Sequence, residues 1–244
     1  INERIKLIMA YTTINKSSDY FNTKLYTGTG SSQGITGVGF QPDWTWVKNR
    51  SDTYGHNLVN SVTNTLMFSN ANAPAEAIGN TVTSFDSDGF TVGTNAGVNA
   101  NGQNLVSWNW LGSNTTAANT DGSISSTVSA NTTSGSAGAT IGHGLGSSPK
   151  MVIVKRTNTT GGWVVYNETL GNTKIIELND TAASQTSSAA WNNTSPTSSV
   201  FTLGDYTATN QSGGTYVAYC FADVQGFSKF GSYVGVNGGA NGPF

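Results

Sequence analysis

Gly102–Trp110 reads GQNLVSWNW and Gly213–Phe221 reads GGTYVAYCF. In each, a glycine turn opens a strict alternation. Val106, Trp108 and Trp110 share one face of the first stretch, and Val217, Tyr219 and Phe221 share the matching face of the second. A period of two is the signature of a β-strand with one buried face, so these aromatic faces are expected to be core. Ser107 and Asn109 point the other way.

The match extends outward from these strands. PDWTWVKNR from Pro42 answers PKMVIVKRT from Pro149 at an offset of 107, which pairs Trp46 with Ile153, Val47 with Val154 and Lys48 with Lys155. FTVG from Phe90 answers FTLG from Phe201 at an offset of 111, which then holds through Asn99 with Asn210 and Trp110 with Phe221. The difference between the offsets, 111 − 107 = 4 residues, falls in polar sequence where a loop absorbs it. A period above 100 residues suits whole domains in series rather than a solenoid.

TWVK and MVIVK are apolar on both faces, as in strands covered on both sides. Turn signals such as DSDG, NANG and QSGG recur between short strands, and no long stretch shows helical periodicity. The expected fold is all-β: two tandem antiparallel β-sandwich domains, jelly-roll-like and related by internal duplication. The boundaries read as an N-terminal extension over 1–22, copy one over 23–113, a linker with a possible first strand over 114–136 and copy two over 137–231. Residues 232–244 complete the chain: YVGVNGGANGPF from Tyr233 resembles YTGTGSSQGITGVGF from Tyr26, the start of a third copy.

Charged residues make up 10% of the 244, against about 25% in ordinary soluble domains. The net charge of −2 supplies no field for a nucleic acid backbone or an anionic membrane surface. No apolar run reaches membrane-span length, so membrane insertion is not expected. Cys220 is the single cysteine and sits in a strand, which reads as a structural thiol and leaves stability to packing and backbone bonding.

Few residues suggest chemistry. Glu3, Glu76, Glu168 and Glu177 are scattered, and Asp86 and Asp88 in SFDSDGF form the closest acidic pair. They are weak metal candidates, because a D-x-D-G stretch before a strand is first a turn, and the other ligand positions of a calcium loop are missing. His56 and His143 stand in no nucleophile-elbow or triad pattern. No catalytic residue, cofactor or enzymatic activity is expected. Aromatic residues in loop-like contexts are the candidates for stacking on sugar rings: Trp191 in AAWNNTSPTSS, Tyr206 in GDYTATNQSGG, and Tyr54.

GFQPDWTWVKNRSD, VTSFDSDGFTVGTNAGVNANGQNLVSWNW and YVAYCFADVQGFSKFGSYVG resemble repeated domains of tail-fibre-like and other virion structural proteins of marine bacteriophages. MAYTTINKSSDYFNTKLY from Met9 resembles the usual beginning of such a protein, so the first eight residues read as an extension, a tag remnant or a misplaced start. The resemblance implies a virion component that is extracellular after lysis. Its partners would be further copies of itself, other virion proteins and, as a candidate, a host-surface glycan. A lectin-like carbohydrate-binding module and a capsid-decoration or filament-forming subunit are the alternatives, and head-to-tail contact through the two similar domains is one expected route to a filament.

Overall fold

The structure is a computed structural model that describes residue 14, residues 16–112 and residues 135–235, with the backbone of three two-residue strands between the last two ranges. Most of the expected N-terminal extension and linker, and the end of the third-copy segment, lie outside the described residues.

After a 3-10 turn at Ser17–Asp19, the first half runs β1 (Phe21–Thr27), β2 (Gln33–Thr36), β3 (Trp44–Asn49), β4 (Asn57–Asn60), β5 (Thr65–Phe68), β6 (Glu76–Ala77), β7 (Val82–Asp86), β8 (Gly89–Val92), α1 (Ala96–Asn99) and β9 (Asn104–Trp110). Between the halves are β10 (Ala118–Asn119), β11 (Ser126–Thr127) and β12 (Asn131–Thr132). The second half continues with β13 (Ala139–Gly142), β14 (Met151–Arg156), β15 (Trp163–Asn167), β16 (Lys174–Glu177), β17 (Gln185–Thr186), α2 (Ser188–Trp191), β18 (Val200–Leu203) and β19 (Thr215–Phe221). The chain is all-β, and every described strand pairing is antiparallel.

Strand order is the same in both halves. One large sheet runs β1-β9-β3-β4-β5-β6 and the other β12-β19-β14-β15-β16-β17. Small sheets, β2-β8-β7 and β13-β18, lie over them. Register follows the sequence offsets: Trp46 faces Trp108 and Leu58 across the first large sheet, as Ile153 faces Tyr219 and Val165 across the second. The outer strands nest as in a jelly roll, β1 on β9 and β2 on β8, whereas β3 to β6 form a meander within one sheet. Among the described residues the second small sheet has two strands and no third. Pro196 occupies the position of Phe85 of β7 and has no N–H to give a ladder, and Asn193 nearby has φ +50.

Each sandwich has its own core. Val47, Val59, Leu66 and Leu105 of the first large sheet meet Ile35, Val82, Phe90 and Val92 of the small one. In the second half Val152, Val154, Val164 and Tyr166 meet Ile141, Phe201 and Leu203. A buried asparagine ties the same loops in both: the Asn99 side-chain amide donates to Gly93 O at 2.7 Å, and that of Asn210 to Gly204 O at 2.6 Å.

A third apolar cluster belongs to both halves. Trp44, Leu58 and Met67 of the first large sheet pack against Ile153, Trp163, Val165 and Val217 of the second, with Trp110, Tyr219 and Phe221 beside them. The two large sheets therefore stack through their outer faces. Trp110 of the first alternation and Val217, Tyr219 and Phe221 of the second lie in this junction, outside both sandwich cores, and Leu105, Ser107 and Asn109 opposite are fully buried inside the first sandwich. Both faces of the strand need cover, which explains why TWVK and MVIVK carry apolar residues on both sides.

Candidate functional site

Strand β3 delivers Trp44 into the junction, where its ring stacks on Trp110 and on Tyr219, each 4.3 Å away between centroids. The Trp163 ring continues the column 6.5 Å beyond Tyr219. Trp163 is fully buried, and its indole N–H donates to Phe68 O at 2.9 Å and Ala71 O at 3.1 Å across the junction. Backbone bonds add to the seam, with Gly161 N donating to Asn72 O and Ala75 N to Thr157 O, both at 2.9 Å. Lys155 is fully buried in the same seam. Its ammonium donates to Gly161 O at 2.8 Å and lies 5.9 Å from the centre of the Trp163 ring, and burial pushes its pKa down to about 8.

Beside the column is a cavity of about 890 Å³, within the range of sites that hold small molecules or peptide segments. Its walls are mostly apolar and include Phe21, Trp110, Phe221 and Phe230 on one side and Ile141 and Phe201 on the other. The cavity wraps the edge of β19. In the first half β1 pairs with every residue of β9, but β12 meets β19 only at Thr215 and Tyr216. From Val217 to Phe221 no strand flanks that edge among the described residues.

Sequence-derived candidates fall elsewhere. Trp191 is 2% exposed in the core of the second sandwich, edge-on to Tyr166, and its indole N–H donates to Lys174 O at 3.2 Å. It has no open face for a sugar ring, because α2 folds its loop-like surroundings inward. Tyr206 packs partly buried on the same core, and burial followed by the nearby Glu177 raises its hydroxyl pKa. Tyr54 is 40% exposed, and its carbonyl accepts from the Lys48 ammonium at 2.6 Å. The structure does not bring these three together.

Asp86 and Asp88 hold the turn. Asp86 accepts from the hydroxyls of Ser84 and Thr91, while Asp88 accepts from Gly39 N at 2.6 Å and Gly37 N at 2.9 Å, which pulls its pKa down. The Asp88 contacts are with a distant loop rather than the local backbone of the turn, and no metal-binding cluster occurs among the described residues. In the second half this tie passes to His143, whose Nδ1 accepts from Leu145 N, leaving Nε2 to donate to Thr197 O at 3.2 Å. His56 accepts from the Trp46 indole at 2.9 Å, and burial with the neighbouring Lys48 lowers its pKa. Burial pushes the Cys220 thiol up to about 12, the setting of an unreactive packing residue.

The cavity edge was not legible from motifs, because it is made by backbone. Its only sequence signal is comparative: β1, FNTKLYT, carries two aromatic residues, and the corresponding STVSANT at 126–132 carries none.

A family model described as a domain of unknown function (DUF7483) matches residues 16–244, spanning both halves as one unit. No curated protein and no solved structure matches the chain.

Proposed function

The chain belongs to the DUF7483 family, and from that premise we propose that it is a structural subunit of a bacteriophage virion, in a fibre or appendage. The observation that carries the structural role is the aromatic seam between the large sheets, which locks two sandwiches into one stiff body. The neutral, polar surface suits a particle component that must not cling to nucleic acid or membrane. Placement in a virion rests on the resemblance of the quoted phrases to phage repeats. Matching strand order and register support reading the halves, 23–113 and 137–231, as products of one duplication.

The seam also bears on assembly. Each large sheet covers the outer face of the other, so that face is not available to extend a filament. A host-surface glycan contact, where present, would draw on exposed rings such as Tyr54 rather than on Trp191.

Electron microscopy of intact virions labelled with an antibody to the purified chain tests the reading. Label along fibres or at the tail tip is expected. Virions that carry no label, or a purified chain that degrades host polysaccharide, would overturn it.

A further inference from the structure

Four buried side-chain polar atoms have no hydrogen-bond partner among the described residues: Gln33 Oε1, Trp44 Nε1, Asn60 Nδ2 and the Tyr219 hydroxyl oxygen. Gln33 stands apart on β2, and the other three belong to the seam. Trp44 of β3 lies directly opposite Asn60 at the end of β4, so their side chains share the outer face of the first large sheet. Tyr219 of β19 comes to them from the second sheet, its ring stacked on that of Trp44. Trp44 is 8% and Asn60 5% exposed, and the three polar atoms themselves are shut off from solvent.

Their chemistry is narrowly defined. An indole N–H can only donate. The Asn60 amide is held one way round, because its Oδ1 accepts from Thr63 N at 2.7 Å and Val62 N at 3.2 Å, so Nδ2 is the end left over and it too can only donate. Burial pushes the Tyr219 pKa up and the Asn60 amide close by pulls it partly back, yet the two groups do not meet in a hydrogen bond. Two donors and a hydroxyl thus lie together without satisfying one another, an arrangement that opposes folding unless a further group meets them.

The second half shows which of these groups the sandwich itself needs. Met151 faces Asn167 in the register in which Trp44 faces Asn60, at the same offset of 107. Asn167 serves its turn as Asn60 does, with Oδ1 accepting from Thr169 N at 3.0 Å, but Met151 brings no donor. The fold keeps the asparagine and does not require the indole N–H. That donor is added in the half whose strand β3 meets the Tyr219 hydroxyl.

We propose that the seam holds one buried water, which accepts from Trp44 Nε1 and Asn60 Nδ2 and bonds the Tyr219 hydroxyl. Three bonds to otherwise unmet groups are the usual holding of an internal water. A halide would use the same donors, but it would shed its hydration beside neutral groups only, which is the costlier arrangement. Because the three groups come from two sheets, a slid or rotated docking of the halves would strand them, so the water keys the way the aromatic rings are docked. The inference concerns the seam alone and goes beyond the virion reading without resting on it.

A high-resolution crystal structure of the full chain, with a second data set from crystals grown in sodium bromide, tests this. One water within hydrogen-bond distance of all three atoms is expected. An anomalous bromide peak at the site, a direct Asn60 to Tyr219 bond with Trp44 Nε1 met by a carbonyl, or no density between the three atoms overturns the proposal. In solution, a cross-relaxation peak between a long-lived water and the Trp44 indole N–H is expected in the wild-type chain and lost in Tyr219→Phe, which keeps the stacked ring. A peak undiminished in Tyr219→Phe overturns the three-way bridge. Neither result bears on where the chain sits in a particle, so virion labelling and the buried water fail separately.

Discussion

The Trp44 indole and the Tyr219 phenol stack at 4.3 Å with their planes 22° apart, joining the first large sheet to the second. Aromatic pairs contribute about 0.5–1.5 kcal/mol beyond the apolar area they bury, and removing a buried ring adds a cavity cost. Tyr219→Ala is therefore expected to cost about 3–5 kcal/mol. Denaturant unfolding followed by tryptophan fluorescence checks it. The wild-type chain should unfold in one transition, and the variant in an earlier or divided one. An unchanged midpoint would mean that the seam does not hold the halves.

Trp191 gives a contrasting prediction. Its ring is enclosed by the second sandwich, so Trp191→Ala is expected to lose about 3–5 kcal/mol of stability, with Trp191→Phe recovering part of it. Calorimetry reads the effect. A variant of unchanged stability would return Trp191 to the list of surface binding residues.

These two tryptophans mark what the sequence could carry. The alternation in GQNLVSWNW gives the strand correctly, because a period of two follows from local geometry, but not which face is the better buried: Leu105, Ser107 and Asn109 are fully buried, while Trp108 and Trp110 of the aromatic face are half-buried. It says nothing of which partner covers that face, so the aromatic side of β9 was assignable to its own sandwich although it packs at the junction between the two. Trp191 was misleading for a related reason. NNTSPTSS reads as loop, but α2 beside it turns Trp191 inward, a tertiary effect with no local signature.

At the β7–β8 turn, Gly89 has φ +146, and a Cβ there would stand 1.9 Å from Ile35 O. Gly89→Ala must shift β2 or the turn, so a loss of stability on the order of 1–3 kcal/mol is expected. Asp88→Ala in the same turn removes the acceptor of Gly37 and Gly39 N–H. Hydrogen exchange at those two amides should accelerate while core strands keep their protection. The Asp88 pKa is held low in the fold, so the tie is present above the ordinary aspartate range and lost as pH falls through the folded value. Exchange at Gly37 and Gly39 that is insensitive to both the variant and acid would refute the assignment.

Lys155 makes the seam pH-dependent in the alkaline range. Its folded pKa of about 8 lies below the ordinary 10.5, so the unfolded chain binds its proton more tightly than the folded one. Below about pH 8 the lysine is protonated in both states and stability does not vary with it. Between about 8 and 10.5 the unfolded state holds more protons, so stability rises with pH, by about 2 kcal/mol at pH 9.5 for a shift of this size. Cys220, whose buried thiol is pushed up to about 12, acts oppositely from about pH 9, where the unfolded thiol ionises, and the buried hydroxyls of Tyr26 and Tyr219 do so from about pH 10. In a Cys220→Ala background, which removes the opposing thiol, thermal unfolding at pH 7.5, 8.5 and 9.5 should therefore show a rising midpoint with Lys155 and a flat one with Lys155→Met. A midpoint that falls over this range, or a rise that survives in Lys155→Met, would place the titrating group elsewhere.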